Sequence, residues 1–122
     1  MKTVLIVDDS RIMRNVVKNV FSELNIPCKF LEAENGRQAY QLLETNKINI
    51  IFLDWNMPEI DGMDFLKIVR VMPDYRDLPI VMVTSEAAKY NVVEALQNGA
   101  TDYIIKPIQA KIFKEKVSEI AF

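Results

Sequence analysis

The chain has 122 residues, of which 50% are hydrophobic and 26% charged, and 15 basic against 17 acidic residues give a net charge of −2. This length predicts one domain that buries about two-thirds of the surface of the unfolded chain. The single cysteine, Cys28, excludes an internal disulfide framework and a clustered-cysteine zinc site. The absence of histidine excludes histidine-based nucleophile pairs and histidine-ligated zinc, so any chemistry must use carboxylates, lysine, hydroxyl groups or the backbone.

Both signs of charge are spread along the chain without a run of five like charges, so binding to nucleic acid has no support. The longest apolar runs have the length of strands, and the N-terminal run meets Asp8 and Asp9 before a signal-peptide core forms. Together with the unpaired cysteine, these features predict a soluble cytoplasmic domain without a membrane segment.

The first half of the chain alternates between strand-like and helix-like segments. The β-branched run Thr3–Val7 predicts a buried strand, and the apolar stripe from Ile12 to Leu24 has the spacing of a helix. A weaker strand pattern covers Lys29–Leu31, and the run Ile48–Leu53 predicts another buried strand. The alternation places a second helix between these two strands.

The second half continues the same alternation. The apolar patterns predict a helix over 65–72, a strand over 79–83, a helix over 92–96, a strand over 103–105 and a helix over 112–121. Buried strands that are separated by helices require right-handed crossovers, which make the sheet parallel and cover both of its faces. The sequence therefore predicts a doubly wound (βα)5 α/β domain over residues 1–122, with any ligand outside the carboxyl ends of the strands.

Polar side chains follow four of the predicted strands. They are Asp8 and Asp9 after the first, Asp54 after the third, Thr84 after the fourth and Lys106 after the fifth. Each of them alone also fits an ordinary role as a helix cap, a turn residue or a solvated charge. Three carboxylates at one edge, however, raise one another's pKa values unless a cation lies between them. Mg²⁺, with its preference for oxygen ligands, is the cation that this set of residues favours.

Asp54 is the preferred nucleophile because it stands alone after an apolar strand, whereas Asp8 and Asp9 are adjacent at another strand end. Phosphoryl transfer needs a nucleophile, a metal and a cationic or hydroxyl clamp, which Lys106 and Thr84 supply here. Pro58 disfavours a helix just before it, so the segment after Asp54 is predicted to be a loop whose free carbonyl completes the metal site.

The segments VLIVDDS, FLDWNMPEIDG, IVMVTSE and YIIKPI, in this order and spacing, resemble the receiver domains of two-component response regulators. The similarity covers essentially the whole chain. Within the family, Asp54–Pro58, Thr84 with Glu86, and Tyr103 are most similar to the single-domain CheY-type chemotaxis regulators. The resemblance implies a flavodoxin-like three-layer sandwich with strand order 2-1-3-4-5, and a cytoplasmic phosphoacceptor rather than an enzyme.

The resemblance also implies the chemistry of the site. Asp54 would accept a phosphoryl group from the phosphohistidine of a CheA-like sensor histidine kinase. Mg²⁺ would be held by Asp9, Asp54 and the Asn56 carbonyl, with Asp8 acting through a water. Asn56 and Glu86, two positions after Asp54 and Thr84, would set the rate of slow self-dephosphorylation.

The remaining implied roles concern the switch. Lys106, whose bond to Pro107 is usually cis in the family, would pair with a phosphoryl oxygen. Thr84 would move toward the phosphoryl group and Tyr103 would follow inward, changing the surface of the fourth helix, fifth strand and fifth helix. A strand-edge packing role is the ordinary alternative for Tyr103. The expected partners are the kinase, a downstream protein such as a flagellar motor switch component, and a phosphatase, and the chain is expected to be a monomer.

Several competing interpretations use the same residues. A haloacid-dehalogenase-like phosphatase needs a second aspartate at position 56, where this chain has Asn56. A flavodoxin-like cofactor carrier needs a phosphate-binding glycine loop, and the three glycines are isolated. A scaffold that is never phosphorylated is disfavoured by the complete set of site residues. A receiver excised from a larger regulator, or one from a phosphorelay outside chemotaxis, would have nearly the same sequence.

Overall fold

A computed structural model describes residues 1–57, 59–85, 89–120 and 122, with the side chains of 89–91 left out of the description. Strands and helices alternate along the described chain, which confirms the predicted (βα)5 order. The elements are β1 (Lys2–Val7), α1 (Arg11–Glu23), β2 (Cys28–Ala33), α2 (Gly36–Thr45), β3 (Ile50–Asp54), α3 (Gly62–Arg70), a short 3₁₀ helix (Pro73–Tyr75), β4 (Ile80–Ser85), α4 (Lys89–Gln97), β5 (Asp102–Lys106) and α5 (Ala110–Glu119).

The strands form one parallel sheet in the order β2-β1-β3-β4-β5, as predicted. The register aligns the carboxyl ends of neighbouring strands: Val7 pairs with Leu53. Asp54 pairs with Val83, and Ser85 pairs with Lys106. Because all strands run in the same direction, the polar residues at their ends come from distant parts of the sequence to one edge of the sheet.

Helices cover both faces of the sheet, and each face has its own apolar core. Residues that alternate along β1 and β3 point to opposite sides, as strand geometry requires. One core packs β-strand residues against α2, α3 and α4, and its members include Leu5, Leu53, Leu43, Leu66 and Ala95. The other packs them against α1 and α5, and its members include Val4, Phe52, Phe21, Phe113 and Val117. These two cores confirm the three-layer sandwich.

The predicted apolar stripes of α1 and α5 are each wrong at their first residue, an isoleucine that is exposed in the structure. Ile12 is 75% exposed, whereas Arg14 is only 8% exposed and shares the buried face of α1 with Val17 and Phe21. The spacing of these three residues, i, i+3 and i+7, is that of one helix face, so the inward face includes a charged residue in the first turn. In α5, Ile112 is 43% exposed beside the buried Phe113, because consecutive residues of a helix are rotated well apart.

The position of β2 at the edge of the sheet explains why its strand pattern in the sequence is weak. It extends over Cys28–Ala33, beyond the predicted Lys29–Leu31, and only Ala33 at its end is fully buried. A strand at the edge of a sheet has a neighbour on one side only, so it needs fewer apolar residues than a central strand such as β3. Among the described residues, no helix is long and apolar enough to cross a membrane.

Candidate acidic site at the carboxyl edge of the sheet

The backbone of the sheet fixes the positions of the acidic residues. The Asp8 N–H donates to the Ala33 carbonyl at 3.0 Å, which continues the pairing of β1 with β2 past the end of the strand. The Trp55 N–H donates to the Val83 carbonyl at 3.1 Å, which holds the chain just after Asp54 in the same way. Asp8 and Asp54 are therefore held by sheet hydrogen bonds rather than by mobile loops.

Asp8, Asp9 and Asp54 form a cluster in which one carboxylate oxygen from each lies within 4.8 Å of the others. Asp8 and Asp54 are buried, whereas Asp9 is exposed at the mouth of the cluster. A hard divalent cation such as Mg²⁺ prefers an all-oxygen set that includes one or two carboxylates and several waters. The donor chemistry and the open side at Asp9 fit such an ion.

Lys106 joins the two buried carboxylates. Its ammonium donates to Asp54 Oδ1 at 3.2 Å and to Asp8 Oδ2 at 3.3 Å. The residue ends β5, and its peptide bond to Pro107 is cis. The ammonium therefore neutralises part of the negative charge that the three aspartates collect at this edge.

Burial and the charges in the site together shift two pKa values upward. The pKa of Asp54 is raised by burial and by the negative charge of Asp8, and Lys106 and the backbone amide of Asn56 offset only part of this effect. Burial disfavours the charged form of Lys106, but the carboxylates of Asp54 and Asp8 outweigh it and raise the pKa of the ammonium. The site therefore contains a charged lysine beside a carboxylate whose ionised form an added cation would stabilise.

Ser10 orients Asp8 and also starts the next helix. Its N–H donates to Asp8 Oδ1 at 2.8 Å, while its hydroxyl accepts from the Met13 N–H at 3.3 Å as the N-cap of α1. Asp8 Oδ1 is thereby occupied by a backbone amide and Oδ2 by Lys106, which fixes the plane of the carboxylate.

Thr84 and Tyr103 lie on the neighbouring strands β4 and β5. Thr84 is buried near the end of β4, opposite Ile105 of β5. Tyr103 is partly buried, and the Lys116 ammonium lies 4.0 Å from the centre of its ring. Tyr103 and Lys116 line a surface groove of about 360 Å³ that continues to Lys106.

Of the two residues predicted to set the rate of self-dephosphorylation, the structure describes Asn56 but not Glu86. Asn56 is exposed in the loop that follows β3, two residues beyond Asp54. Glu86 lies outside the described residues, and so does Pro58 in the loop after Asp54. The predicted functions of Asn56 and Glu86 stay predictions.

Sequence reasoning missed two residues that support the cluster. Arg14 donates from Nη1 to the Asp8 carbonyl at 2.7 Å, and its spacing from the buried Val17 and Phe21 of α1 is the signal that could have indicated its inward position. Gly62, the first residue of α3, lies so close to Asp54 that an added Cβ would be 2.4 Å from the Asp54 carbonyl oxygen. An isolated glycine gives no signal of this kind in the sequence.

Comparison with known proteins agrees with the geometry. Residues 4–118 match the family described as the response regulator receiver domain. The chemotaxis protein CheY homolog of Campylobacter jejuni is 42% identical over 117 residues, which cover 95% of this chain and 89% of that protein. Chemotaxis protein CheY1 of Helicobacter pylori is 40% identical over 117 residues, which cover 95% of this chain and 94% of that protein.

Solved structures share the same fold. The chemotaxis protein CheY4 of Vibrio cholerae superimposes with a TM-score of 0.87 at 29% identity, covering 99% of each chain. A putative response regulator from Chloroflexus aurantiacus gives a TM-score of 0.88 at 28% identity, covering 96% of this chain and 94% of that one. With the match over residues 4–118 and the 42% identical relative, these likenesses show that the chain belongs to the response regulator receiver domain family.

Proposed function

We propose that this chain is a phosphorylation-activated signalling switch that accepts a phosphoryl group on Asp54. CheY-like receiver domains are phosphoacceptor signalling proteins rather than enzymes with an external substrate. The observation that carries the proposal is the buried Asp54 carboxylate, clustered with Asp8 and Asp9 and bound to the Lys106 ammonium at 3.2 Å. This arrangement supports the proposal, because the Asp54 carboxylate oxygen lies beside the kind of positive charge that a phosphoryl group requires.

The proposed step is an attack by an Asp54 carboxylate oxygen on the phosphorus of a kinase phosphohistidine. The new O–P bond forms as the P–N bond breaks, and the leaving imidazole nitrogen keeps the electron pair and takes up a proton. Lys106, already 3.2 Å from Asp54 Oδ1, is within reach of the phosphoryl oxygens that would then surround this position. Its pKa is raised by the neighbouring carboxylates, so the ammonium stays charged at neutral pH.

Asp8, Asp9 and Asp54, with the Asn56 carbonyl, are the residues that would hold Mg²⁺. When bound there, Mg²⁺ neutralises the negative charge that the carboxylates and the phosphoryl oxygens share. Asp8 is already fixed through both of its oxygens by Ser10 and Lys106, so it needs little rearrangement to take part.

Phosphorylation is proposed to act on the surface of α4, β5 and α5 through Thr84 and Tyr103. The phosphoryl group adds negative charge and acceptor oxygens that the buried Thr84 hydroxyl and the Lys106 ammonium can bind. Tyr103 lines the adjacent groove of about 360 Å³, so a change in its position alters the shape offered to a partner. Such a ligand shifts a population between two states by no more than its difference in affinity for them.

The biological setting is proposed to be chemotaxis, because relatives at 42% and 40% identity are named chemotaxis proteins. The partners would then be a CheA-like histidine kinase, a downstream protein such as a flagellar motor switch component, and a phosphatase. We propose a monomeric single receiver domain over residues 1–122 that acts in the cytoplasm. Its slow self-dephosphorylation would depend on Asn56 and Glu86.

The proposal is tested by incubating the protein with Mg²⁺ and a small phosphodonor such as acetyl phosphate, followed by intact mass measurement. The wild type should gain the mass of one phosphoryl group, and Asp54→Asn should gain none. Asp64→Asn, which alters an exposed aspartate of α3 outside the cluster, is the matched control and should be labelled like the wild type. An unlabelled wild type, or labelling that survives in Asp54→Asn, would contradict the mechanism.

A further inference from the structure

Arg14 is a buried charge that the proposed chemistry does not use. Among the described residues, the buried polar and charged side chains are Asp8, Asp54, Thr84 and Arg14, and the first three belong to the site. A guanidinium group stays protonated in proteins, so a buried arginine must be matched by hydrogen-bond acceptors and by negative charge. The partners of Arg14 therefore indicate what it does at this position.

The guanidinium of Arg14 connects three elements of the fold. From α1, its Nη1 donates to the Asp8 carbonyl at 2.7 Å, just beyond the end of β1. Its Nε donates to Glu32 Oε1 of β2 at 3.0 Å, and the other oxygen of Glu32 accepts from Lys18 at 3.2 Å. The hydrogen bonds to Arg14 and Lys18 outweigh the effect of burial and lower the pKa of Glu32, so this anchor stays charged.

The acceptor of the Arg14 Nη1 hydrogen bond links Arg14 to the backbone of the acidic cluster. The Asp8 carbonyl belongs to the peptide group that joins Asp8 to Asp9, and these are two of the three carboxylate residues in the cluster. The orientation of this peptide group sets the direction in which each of the two side chains leaves the backbone. A short hydrogen bond from a charged donor is stronger than one from a neutral donor, so the guanidinium restrains this peptide group firmly.

We infer that Arg14 is a positioning residue, which holds the Asp8–Asp9 peptide so that both carboxylates face the cation site. The inference rests on the proposed Mg²⁺ site and adds a residue that does not touch the ion. Groups that orient metal ligands from behind affect metal affinity by about 10- to 100-fold when they are removed.

The sign of the effect separates positioning from simple electrostatics. Arg14 carries a positive charge close to a site for a cation, so its charge alone weakens Mg²⁺ binding. Removing only that charge would tighten binding, whereas releasing the Asp8–Asp9 peptide would weaken it. The two explanations therefore predict opposite changes in the dissociation constant.

The experiment is a calorimetric titration of Mg²⁺ into the wild type, Arg14→Met and Lys18→Met. Arg14→Met should raise the Kd about tenfold, because the peptide loses its anchor. Lys18→Met is the matched control: it removes the same charge from the same helix and the same partner, Glu32, but Lys18 has no bond to Asp8. Its Kd should equal that of the wild type or be lower.

A second measurement excludes a purely structural role. Urea unfolding without metal gives the stability of each variant, and the Kd is measured where each is fully folded. If Arg14→Met does not fold, Arg14→Gln replaces it, with the same expected increase in Kd. A loss of stability with an unchanged or lower Kd would overturn the inference, and so would an equal increase in Lys18→Met. A wild type that binds no Mg²⁺ would overturn the proposed metal site itself, together with this inference.

Discussion

Lys106 partly offsets the upward shift in the pKa of Asp54, the residue that is proposed to react. Its ammonium lies 3.2 Å from Asp54 Oδ1, and it opposes the burial and the negative charge of Asp8 that raise the pKa of Asp54. Replacing it by methionine, Lys106→Met, should therefore raise the pKa of Asp54 further, because the charged form of the carboxylate loses its cationic partner. A pH titration of the Asp54 carboxyl carbon by NMR, without metal, measures the change.

A matched control for this titration is available on the neighbouring helix. Lys116 also binds an aspartate, donating to Asp102 Oδ1 at 3.0 Å, but that aspartate lies outside the acidic cluster. Lys116→Met should leave the titration of Asp54 as it is in the wild type. An Asp54 pKa that falls or stays constant in Lys106→Met would show that Lys106 does not stabilise the charged carboxylate.

The residues of the cluster were predictable from the sequence because they directly follow apolar strands. Asp8 and Asp54 end runs that could only be buried, and the rule for parallel sheets brings such positions together. The role of Arg14 was not predictable in the same way, because a charged residue within a helix is usually on the exposed face. Its burial depends on Glu32, which lies on β2, 18 positions away in the sequence.

At the level of the elements, the start of α3 is packed against the end of β3. The Gly62 N–H donates to the Trp55 carbonyl at 2.8 Å, and a Cβ on Gly62 would lie 2.4 Å from the Asp54 carbonyl oxygen. Gly62→Ala must therefore displace backbone atoms beside Asp54, since no side chain can move aside. We expect a loss of about 1–3 kcal/mol in the free energy of unfolding, measured by urea denaturation.

Gly36 provides the control for this substitution. It is also the first residue of a helix, α2, but an added Cβ would meet the Ile60 side chain at an ordinary 3.4 Å. Gly36→Ala should change stability little, or raise it by up to about 1 kcal/mol through the better helix propensity of alanine. Equal losses in the two variants would contradict the explanation by close backbone packing at Gly62.

The order and type of the elements were predictable, whereas several boundaries and faces were not. The run Ile48–Leu53 predicted a buried strand, and β3 begins at Ile50, because the pattern does not show where pairing with β1 starts. Ile12 fits an apolar stripe by composition, yet the inward face of α1 is set by how the helix crosses the sheet. The orientation of α1 on the sheet depends on tertiary packing, and the periodicity of one segment carries no information about that packing.

For the molecule as a whole, the proposed metal site should couple ion binding to stability. An ion that binds only the folded chain stabilises it by about 2.7 kcal/mol when its concentration is 100 times the Kd. Thermal unfolding with and without Mg²⁺ should show this increase in the wild type. Asp9→Asn should remove most of it, because Asp9 contributes one of the three clustered carboxylates.

Asp9→Asn should nevertheless fold as well as the wild type when no metal is present. Asp9 is exposed, and its replacement removes a negative charge that repels the other two carboxylates. A variant that is less stable without metal would assign Asp9 a role in the fold itself. An undiminished increase with Mg²⁺ would show that the ion binds elsewhere.

The bond between Lys106 and Asp8 spans 98 positions of the sequence, and the bond between Lys106 and Asp54 spans 52. Contacts between such distant positions form late in folding, because the entropy of closing long loops must first be overcome. The described residues of the acidic site come from the ends of three strands, β1, β3 and β5, so the site is complete only when all three are assembled. The proposed ability to bind Mg²⁺ and accept a phosphoryl group should therefore appear only in the final step of folding, so that partly folded chains would not transmit the proposed signal.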